Sequence, residues 1–394
     1  MMKKKEVEAD DSLLPQEIIR DILTRLPVKS LIRFQCVCRH WRDLFKDPSF
    51  IADHLHNSNH QNPYILCQLT PWHDYRWNMH FLGSDMQVWR FQMPPLIEHL
   101  NRGKIVGSSN GLLCVKTYRL QHSFLLWNPA IKEVKLVPEI DFCRKFYRRG
   151  TYSIGFGFCP SLNDYKIVIT FVKNDYFEMF KVYSLRSNSW KEVKYGLDAC
   201  KIYYRVTVNG VMFWLGKKSS KDHYFEVVIF SFDLATEMWT VIPEPEQHSS
   251  TVYHNLMVYE GKLAFVICTD DFKHSAIHLL VKEEGVGASR ETWNWTKIFS
   301  SNPYPSNGLL PETMWGNEIL CRRWDGESTI TVLFNPTTEK FKKLNICNIG
   351  DVQKIFNYVE SLVSVGGMKS LTKVLKRQGG SSGHGSSSRV PRMI

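Results

Sequence analysis

One unit returns along most of this chain: an apolar strand, a short polar turn, and a large apolar residue six positions after the turn begins. It runs from Asn128 to Val134, Ser184 to Trp190, Asp233 to Trp239 and Asn335 to Phe341, preceded by apolar strands at 124–127, 180–183, 228–232 and 330–334. A weaker copy at 277–281 reaches Trp293 or Trp295 across a longer turn around Gly285-Val286-Gly287. Two strands joined by a tight turn form a hairpin. A second unit is a glycine turn that opens an apolar strand, at Asn110-Gly111, Asn209-Gly210, Glu260-Gly261 and Gly316-Asn317; Gly155-Phe156-Gly157-Phe158 is read as its counterpart in a further copy. Both units recur at roughly 50 residues, the period of a four-stranded propeller blade. One blade cannot cover both faces of its own sheet, so blades stack radially and bury their aromatic strands between them. Residues 60–367 hold about six such blades. Ring closure pairs strands from the two ends of the repeat region; 64–69 and 358–365 are the candidate strands, expected in the same blade.

Ahead of the repeats the periodicity is helical. Ile18, Ile19, Ile22, Leu23 and Leu26 follow the three-and-four spacing of an amphipathic face. Pro15 suits the first helical position, Glu17 adds favourable charge to the first turn, and Pro27 ends the run. Leu31, Phe34, Val37, Trp41, Leu44 and Phe45 repeat the pattern with Ser30 as its cap. A third helix starts at Asp47-Pro48, with Phe50, Ile51 and Leu55 facing inward. Three short helices over residues 12–56 sit at the lower limit of independent stability, so such a unit completes its core against a partner.

The net charge of +11 would suggest a nucleic-acid binder if it were spread over the fold. Six of those charges (Lys369, Lys373, Lys376, Arg377, Arg389 and Arg392) fall in residues 368–394, which contain no acidic residue and a Gly/Ser-rich run, leaving five on the rest. That tail has nothing to bury and is expected to be disordered, as is the charged lead-in 1–11. No apolar run approaches the roughly 20 residues of a spanning helix, mean hydropathy is −0.26, and the start turns acidic where a secretion signal needs apolar residues. The ten scattered cysteines read as reduced thiols of a cytoplasmic or nuclear protein. Cys36 and Cys38 have neither redox-pair nor zinc spacing.

Leu14-Pro15, the Ile22-Leu23 pair, the centre Arg25-Leu26-Pro27-Val28-Lys29-Ser30-Leu31 and the segment Val37-Cys38-Arg39-His40-Trp41-Arg42 together resemble an F-box of the plant type. The remainder resembles the kelch-like F-box-associated interaction domain of the same family. Its landmarks occur in order: Gly107-Ser108-Ser109-Asn110-Gly111, Trp127-Asn128-Pro129, Gly155 to Phe158, Asn163-Asp164-Tyr165-Lys166, Val182-Tyr183-Ser184-Leu185 and Tyr358-Val359-Glu360-Ser361-Leu362. The Gly-Gly pair of true kelch repeats is missing. Several of these landmarks are similar as well to the S-locus F-box proteins of self-incompatibility, which recognise S-ribonucleases, and that subgroup stays open.

The resemblance implies a multidomain α plus all-β chain: a three-helix F-box, then a kelch-like β-propeller. It implies the non-catalytic substrate receptor of an SCF-type cullin-RING ubiquitin ligase, without cofactor or metal. A Skp-type adaptor would bind the F-box and bring the cullin and RING subunits, while the propeller holds a protein substrate near the ubiquitin-charged E2. Adaptor contact is expected at Leu14, Pro15, Ile18, Ile22, Leu26, Pro27, Leu31, Val37 and Trp41, with core packing as the competing role for Ile18, Ile22 and Trp41. Substrate contact is expected on loops of one propeller face, among them Arg144, Lys145, Phe146, Tyr147, Arg148 and Arg149, whose mixed basic and aromatic character suits an acidic partner. The bland reading of those six is a solvated loop between blades.

Enzyme motifs fail on context. Gly107-Ser108-Ser109-Asn110-Gly111 has the letters of a nucleophile elbow, but a strand follows where the elbow needs a helix. Gly155 and Gly157 open no phosphate-binding loop. His54 and His56 point to different sides of a helix and are read as solvent-facing. The alternative from another class is binding to nucleic acid or another anionic surface through Lys369, Lys373, Lys376 and Arg377; no reading module accompanies them.

Overall fold

The computed structural model describes residues 14–61, 64–70, 78–83, 87–90, 103–117, 124–140, 151–173, 176–193, 201–219, 225–245, 251–270, 273–282, 294–306, 308–324, 326, 329–344 and 351–366. Among the described residues four helices rather than three precede the strands: α1 (Gln16–Thr24), α2 (Val28–Phe34), α3 (Arg39–Leu44) and α4 (Pro48–Gln61). The expected second helix is split in two because Cys38 adopts an extended backbone, and its sulfur accepts the Trp41 N–H at 3.4 Å to cap α3. Ser30 therefore lies inside α2, whose N-cap is Pro27. Asp47 caps α4 as expected, accepting the Phe50 N–H at 3.0 Å, and α4 continues five residues past His56.

Among the described residues twenty-four strands follow, in six antiparallel four-stranded sheets. Blade 1 combines β1 (Tyr64–Thr70), β2 (Asn78–Leu82) and β3 (Val88–Arg90) with the last strand, β24 (Asp351–Tyr358). Blade 2 holds β4 (Gly103–Ser109), β5 (Leu112–Thr117), β6 (Phe124–Asn128) and β7 (Glu133–Leu136). Blade 3 holds β8 (Thr151–Cys159), β9 (Asp164–Lys173), β10 (Tyr176–Ser184) and β11 (Ser189–Val193). Blade 4 holds β12 (Lys201–Val208), β13 (Val211–Ser219), β14 (Phe225–Asp233) and β15 (Trp239–Pro243). Blade 5 holds β16 (Thr251–Tyr259), β17 (Lys262–Asp270), β18 (Ser275–Lys282) and β19 (Trp295–Ser300). Blade 6 holds β20 (Leu309–Trp315), β21 (Glu318–Trp324), β22 (Thr329–Asn335) and β23 (Lys340–Leu344). The strands β4, β8, β12, β16, β20 and β24 neighbour one another in turn and form the inner ring.

Each sheet is covered by its neighbours. Six apolar clusters separate the six blades, one at each interface, such as Trp214 and Phe230 of blade 4 with Phe180 and Val182 of blade 3. The residue six positions after each polar turn closes such an interface. Trp190 lies 5.9 Å from Phe124 of the preceding blade and donates from Nε1 to the Pro138 carbonyl at 2.8 Å. Trp239 lies 4.4 Å from Phe180 in the same way. The hairpins pair as the spacing requires: Trp127 with Val134, Tyr183 with Trp190, Phe232 with Trp239, Phe334 with Phe341, and Lys282 with Trp295 in the weaker copy. In the four regular copies the polar residue ties the turn, as when Asp233 Oδ1 accepts the N–H groups of Ala235 and Thr236. The glycine turns Asn110-Gly111, Asn209-Gly210 and Glu260-Gly261 have positive φ at both residues, the backbone of a two-residue hairpin turn.

Two expectations are corrected. Gly155 to Phe158 lie within the inner strand β8 rather than at a glycine turn, and the turn that follows is closed by Asn163 at φ 46°. These glycines serve packing: a Cβ on Gly157 would come within 2.6 Å of Thr207 in the next blade, and one on Gly107 within 2.7 Å of Phe156. The closing strand is β24, at 351–358, rather than 358–365; Tyr358 pairs with Tyr64 in blade 1, and residues 359–365 leave the sheet.

Candidate functional site

The helical domain has two unlike sides. On α1 the inward positions Leu23 and Thr24 are buried, while Ile18 and Ile22, one turn apart on the other side, are 48% and 47% exposed. Leu14, just before the helix, and Val37, in the α2–α3 link, are also exposed, Val37 to 63%. Pro15 and Pro27 stand exposed at the helix starts. Isolated apolar residues at a surface are ordinary; a small domain that turns this many of its few apolar side chains outward has a face that water covers poorly.

The rest of the predicted contact set lies deeper. Leu26 and Trp41 are half-buried, the Trp41 ring 5.6 Å from Phe34 and 6.4 Å from Phe45. Leu31 is a correction: it is fully buried with Leu23, Val28, Phe45 and Phe50, so it builds the domain's core and offers nothing to a partner. His54 is a second correction. It is buried, and its Nε2 lies 2.9 Å from the Leu26 carbonyl, which ties α4 to the end of α1; burial holds its pKa below the usual histidine value, opposed by that carbonyl.

The inward side of the helical domain is sealed on the propeller. Leu362, beyond the closing strand, is 5% exposed and belongs to the same core as Leu23, Leu31 and Phe50, joined by Ala130 and Ile131 from the β6–β7 turn. Residues 359–366 are bonded along their length to blade 2. Asn128 Nδ2 donates to the carbonyls of Ser361 at 3.0 Å and Val363 at 2.8 Å, and Ser361 Oγ donates to the Asn110 carbonyl at 2.8 Å. Glu133 Oε2 accepts from Ser364 Oγ at 2.8 Å and the Val365 N–H at 3.1 Å. Gly111, at φ +79°, lies so close that a Cβ there would meet the Ser361 side chain and the Val359 carbonyl inside 3 Å.

Residues 12–53 match the F-box domain family, and residues 76–366 match the family described as the F-box associated beta propeller domain. The chain belongs to the F-box proteins that carry this propeller. Among curated relatives, a putative F-box protein of Arabidopsis thaliana, At3g16210, is 28% identical over 59% of this chain and 61% of its own. The F-box/kelch-repeat protein At3g23880 of the same plant is 27% identical over 59% of this chain and 65% of its own. The chain thus spans just under two thirds of the length of these two. A third Arabidopsis protein, F-box protein At3g07870, is 25% identical over 84% of this chain and 87% of its own.

In this F-box protein the tight β4–β5 and β6–β7 turns, the Tyr64–Tyr358 pair and the F-box all lie toward one face of the propeller. The other ends of the strands, such as Thr117 at the end of β5 and Thr151 at the start of β8, lie toward the opposite face. The predicted substrate residues Arg144, Lys145, Phe146, Tyr147, Arg148 and Arg149 fall in sequence between β7 and β8 and lie outside the described residues, as does the tail 368–394. Lys116 donates to the hydroxyl of exposed Tyr152 and sits over its ring; burial pushes Lys116 down to about 8, with repulsion from Lys104 adding to it. Sequence reasoning did not single out this pair, because strand ends from two blades bring it together.

A channel of about 660 Å³ runs along the inner strands, lined by groups such as Ser108, Thr207, Asn255 and Lys354. In its wall Arg322 donates from both Nε and Nη2 to Glu312 Oε1; burial raises the Glu312 carboxyl, and Arg322 opposes the rise. Gly107 to Ser109 lie on β4, and Asn110-Gly111 turns into β5, so Ser108 and Ser109 have a strand on each side and no helix to aim them. Among the described residues, no group of three or more His, Cys, Asp or Glu could hold a metal ion.

Proposed function

We propose that the protein is the substrate-recognition subunit of an SCF-type cullin-RING ubiquitin ligase, with cytoplasmic or nuclear residence. The observation that carries this reading is the two-sided F-box: Leu14, Ile18, Ile22 and Val37 face outward while the opposite side is closed on the propeller. A Skp-type adaptor covering that outward face would remove it from water, and the cullin and RING subunit would follow through the adaptor. The receptor performs no chemistry. It raises the local concentration of substrate lysines at the ubiquitin thioester, so rate comes from proximity. Substrate binding belongs to the propeller face away from the F-box.

The test is capture of a purified Skp-type adaptor by the full chain, compared with the double variant Ile18→Asp/Ile22→Asp. Two exposed anchors worth about 2 kcal/mol each predict a loss of affinity on the order of a thousand-fold. The melting temperature should hold, since neither side chain is in the core. Equal capture by both proteins overturns the reading. The same pair, purified from proteasome-blocked cells, identifies substrates as proteins retained by both and ubiquitinated only with the unaltered chain.

A further inference from the structure

We infer that residues 359–366 are a positioning strap that locks the F-box and the propeller into one orientation, with Leu362 as the positioning residue in the F-box and Gly111 as its seat on blade 2. The inference rests on the receptor reading above, because fixed orientation matters when one end holds an adaptor and the other a substrate.

The strap touches both bodies at once. Leu362 completes the F-box core, and Val365 is buried among the apolar residues between blades 2 and 3. Between and beside them, Asn128, Glu133 and the Asn110 carbonyl take up the strap's polar groups. On the F-box side, Lys29 of α2 faces Glu360, whose carboxyl is raised by burial and lowered again by that charge. The remaining covalent link between the two bodies is the chain between α4 and β1. With the strap released, the F-box would keep that link and the contact with Ala130 and Ile131, and would sample more orientations. A substrate on the far face would then meet the E2 less often, although both binding sites remain intact.

Two glycines make a matched test. Gly111 and Gly261 occupy the same hairpin-turn position in blades 2 and 5, at φ +79° and +73°. A Cβ on Gly111 would strike the strap, while one on Gly261 meets nothing within 4 Å. Both Gly→Ala variants therefore bear the same backbone cost, and only Gly111→Ala pushes the strap away.

The experiment is small-angle X-ray scattering on the full chain, with Leu362→Ala as a third protein. Adaptor capture and ubiquitin transfer to the chain's own lysines are then read in a reconstituted adaptor–cullin–RING assembly. Gly111→Ala and Leu362→Ala should increase the radius of gyration and maximum dimension. They should keep adaptor capture and lose transfer on the order of ten-fold. Gly261→Ala should match the unaltered chain in all three. If Gly111→Ala scatters and transfers like Gly261→Ala, the strap does not position the F-box. If the unaltered chain captures no adaptor, the receptor reading fails, and the scattering comparison still decides whether the strap holds the two bodies together.

Discussion

Asn128 Nδ2 lies 2.8 Å from the carbonyl of Val363, across 235 residues of sequence. The same side chain caps the β6–β7 turn through the Ala130 N–H, so one fully buried amide serves a local turn and the junction of two domains. Asn128→Ala strands two strap carbonyls and should cost about 2–4 kcal/mol in urea denaturation of the full chain. Asn128→Asp, which turns a carboxylate toward those carbonyls, should cost at least as much.

Leu31 and Ile18 are both apolar F-box residues and should behave in opposite ways. Leu31→Ala opens a cavity in the core and should destabilise the F-box by about 2–5 kcal/mol, seen as a lower thermal midpoint. Ile18→Ala should leave that midpoint within about 0.5 kcal/mol of the parent and weaken adaptor capture instead.

His54 predicts a pH dependence. Burial lowers its pKa in the folded state below the ordinary histidine value of about 6.5, so the unfolded chain binds the proton more tightly. Stability from this group is present above the unfolded pKa and is lost as pH falls through about 6.5 toward the folded value. A thermal-melt series from pH 7.5 to 5 should show the decline, and His54→Gln should flatten it.

Lys166 is buried in blade 3 and reaches Glu237 of blade 4 at 2.8 Å and the Leu234 carbonyl; exposed Lys191 meets the other oxygen of Glu237 at 2.6 Å. Removing the carboxylate leaves a buried charged amine with the Leu234 carbonyl but without that counter-ion. Glu237→Ala should therefore cost about 3–5 kcal/mol in denaturant melts. Restoring an apolar pair with Lys166→Met/Glu237→Leu should recover most of the loss.

The hairpins were legible in the sequence because their causes are local. A side chain that caps a turn and an aromatic six residues later are both written within one short window, and Asp233 with Trp239 needs nothing else to be found. Gly155 and Gly157 were misread because their cause is remote: the side chains that forbid a Cβ there, Met212 and Thr207, belong to the next blade. A different and local reason hid the division of α2 from α3: Cys38 caps α3 although sulfur is a weak acceptor. Leu31 shows the limit of periodicity, which finds an apolar face and cannot say whether protein or partner will cover it. Residues 359–365 are rich in valine and read as a strand, and only the end of β24 at Tyr358 leaves them free to serve the F-box.

The order in which the ring is completed also governs when the protein becomes competent during synthesis. The F-box helices precede the propeller strands in the chain, yet their core waits for Leu362, and the ring waits for 351–358. A product broken off before residue 351 has an open propeller and a helical domain lacking its last core residue. Chains that stop short are thereby left unfinished at both ends at once, in the ring and in the helical core.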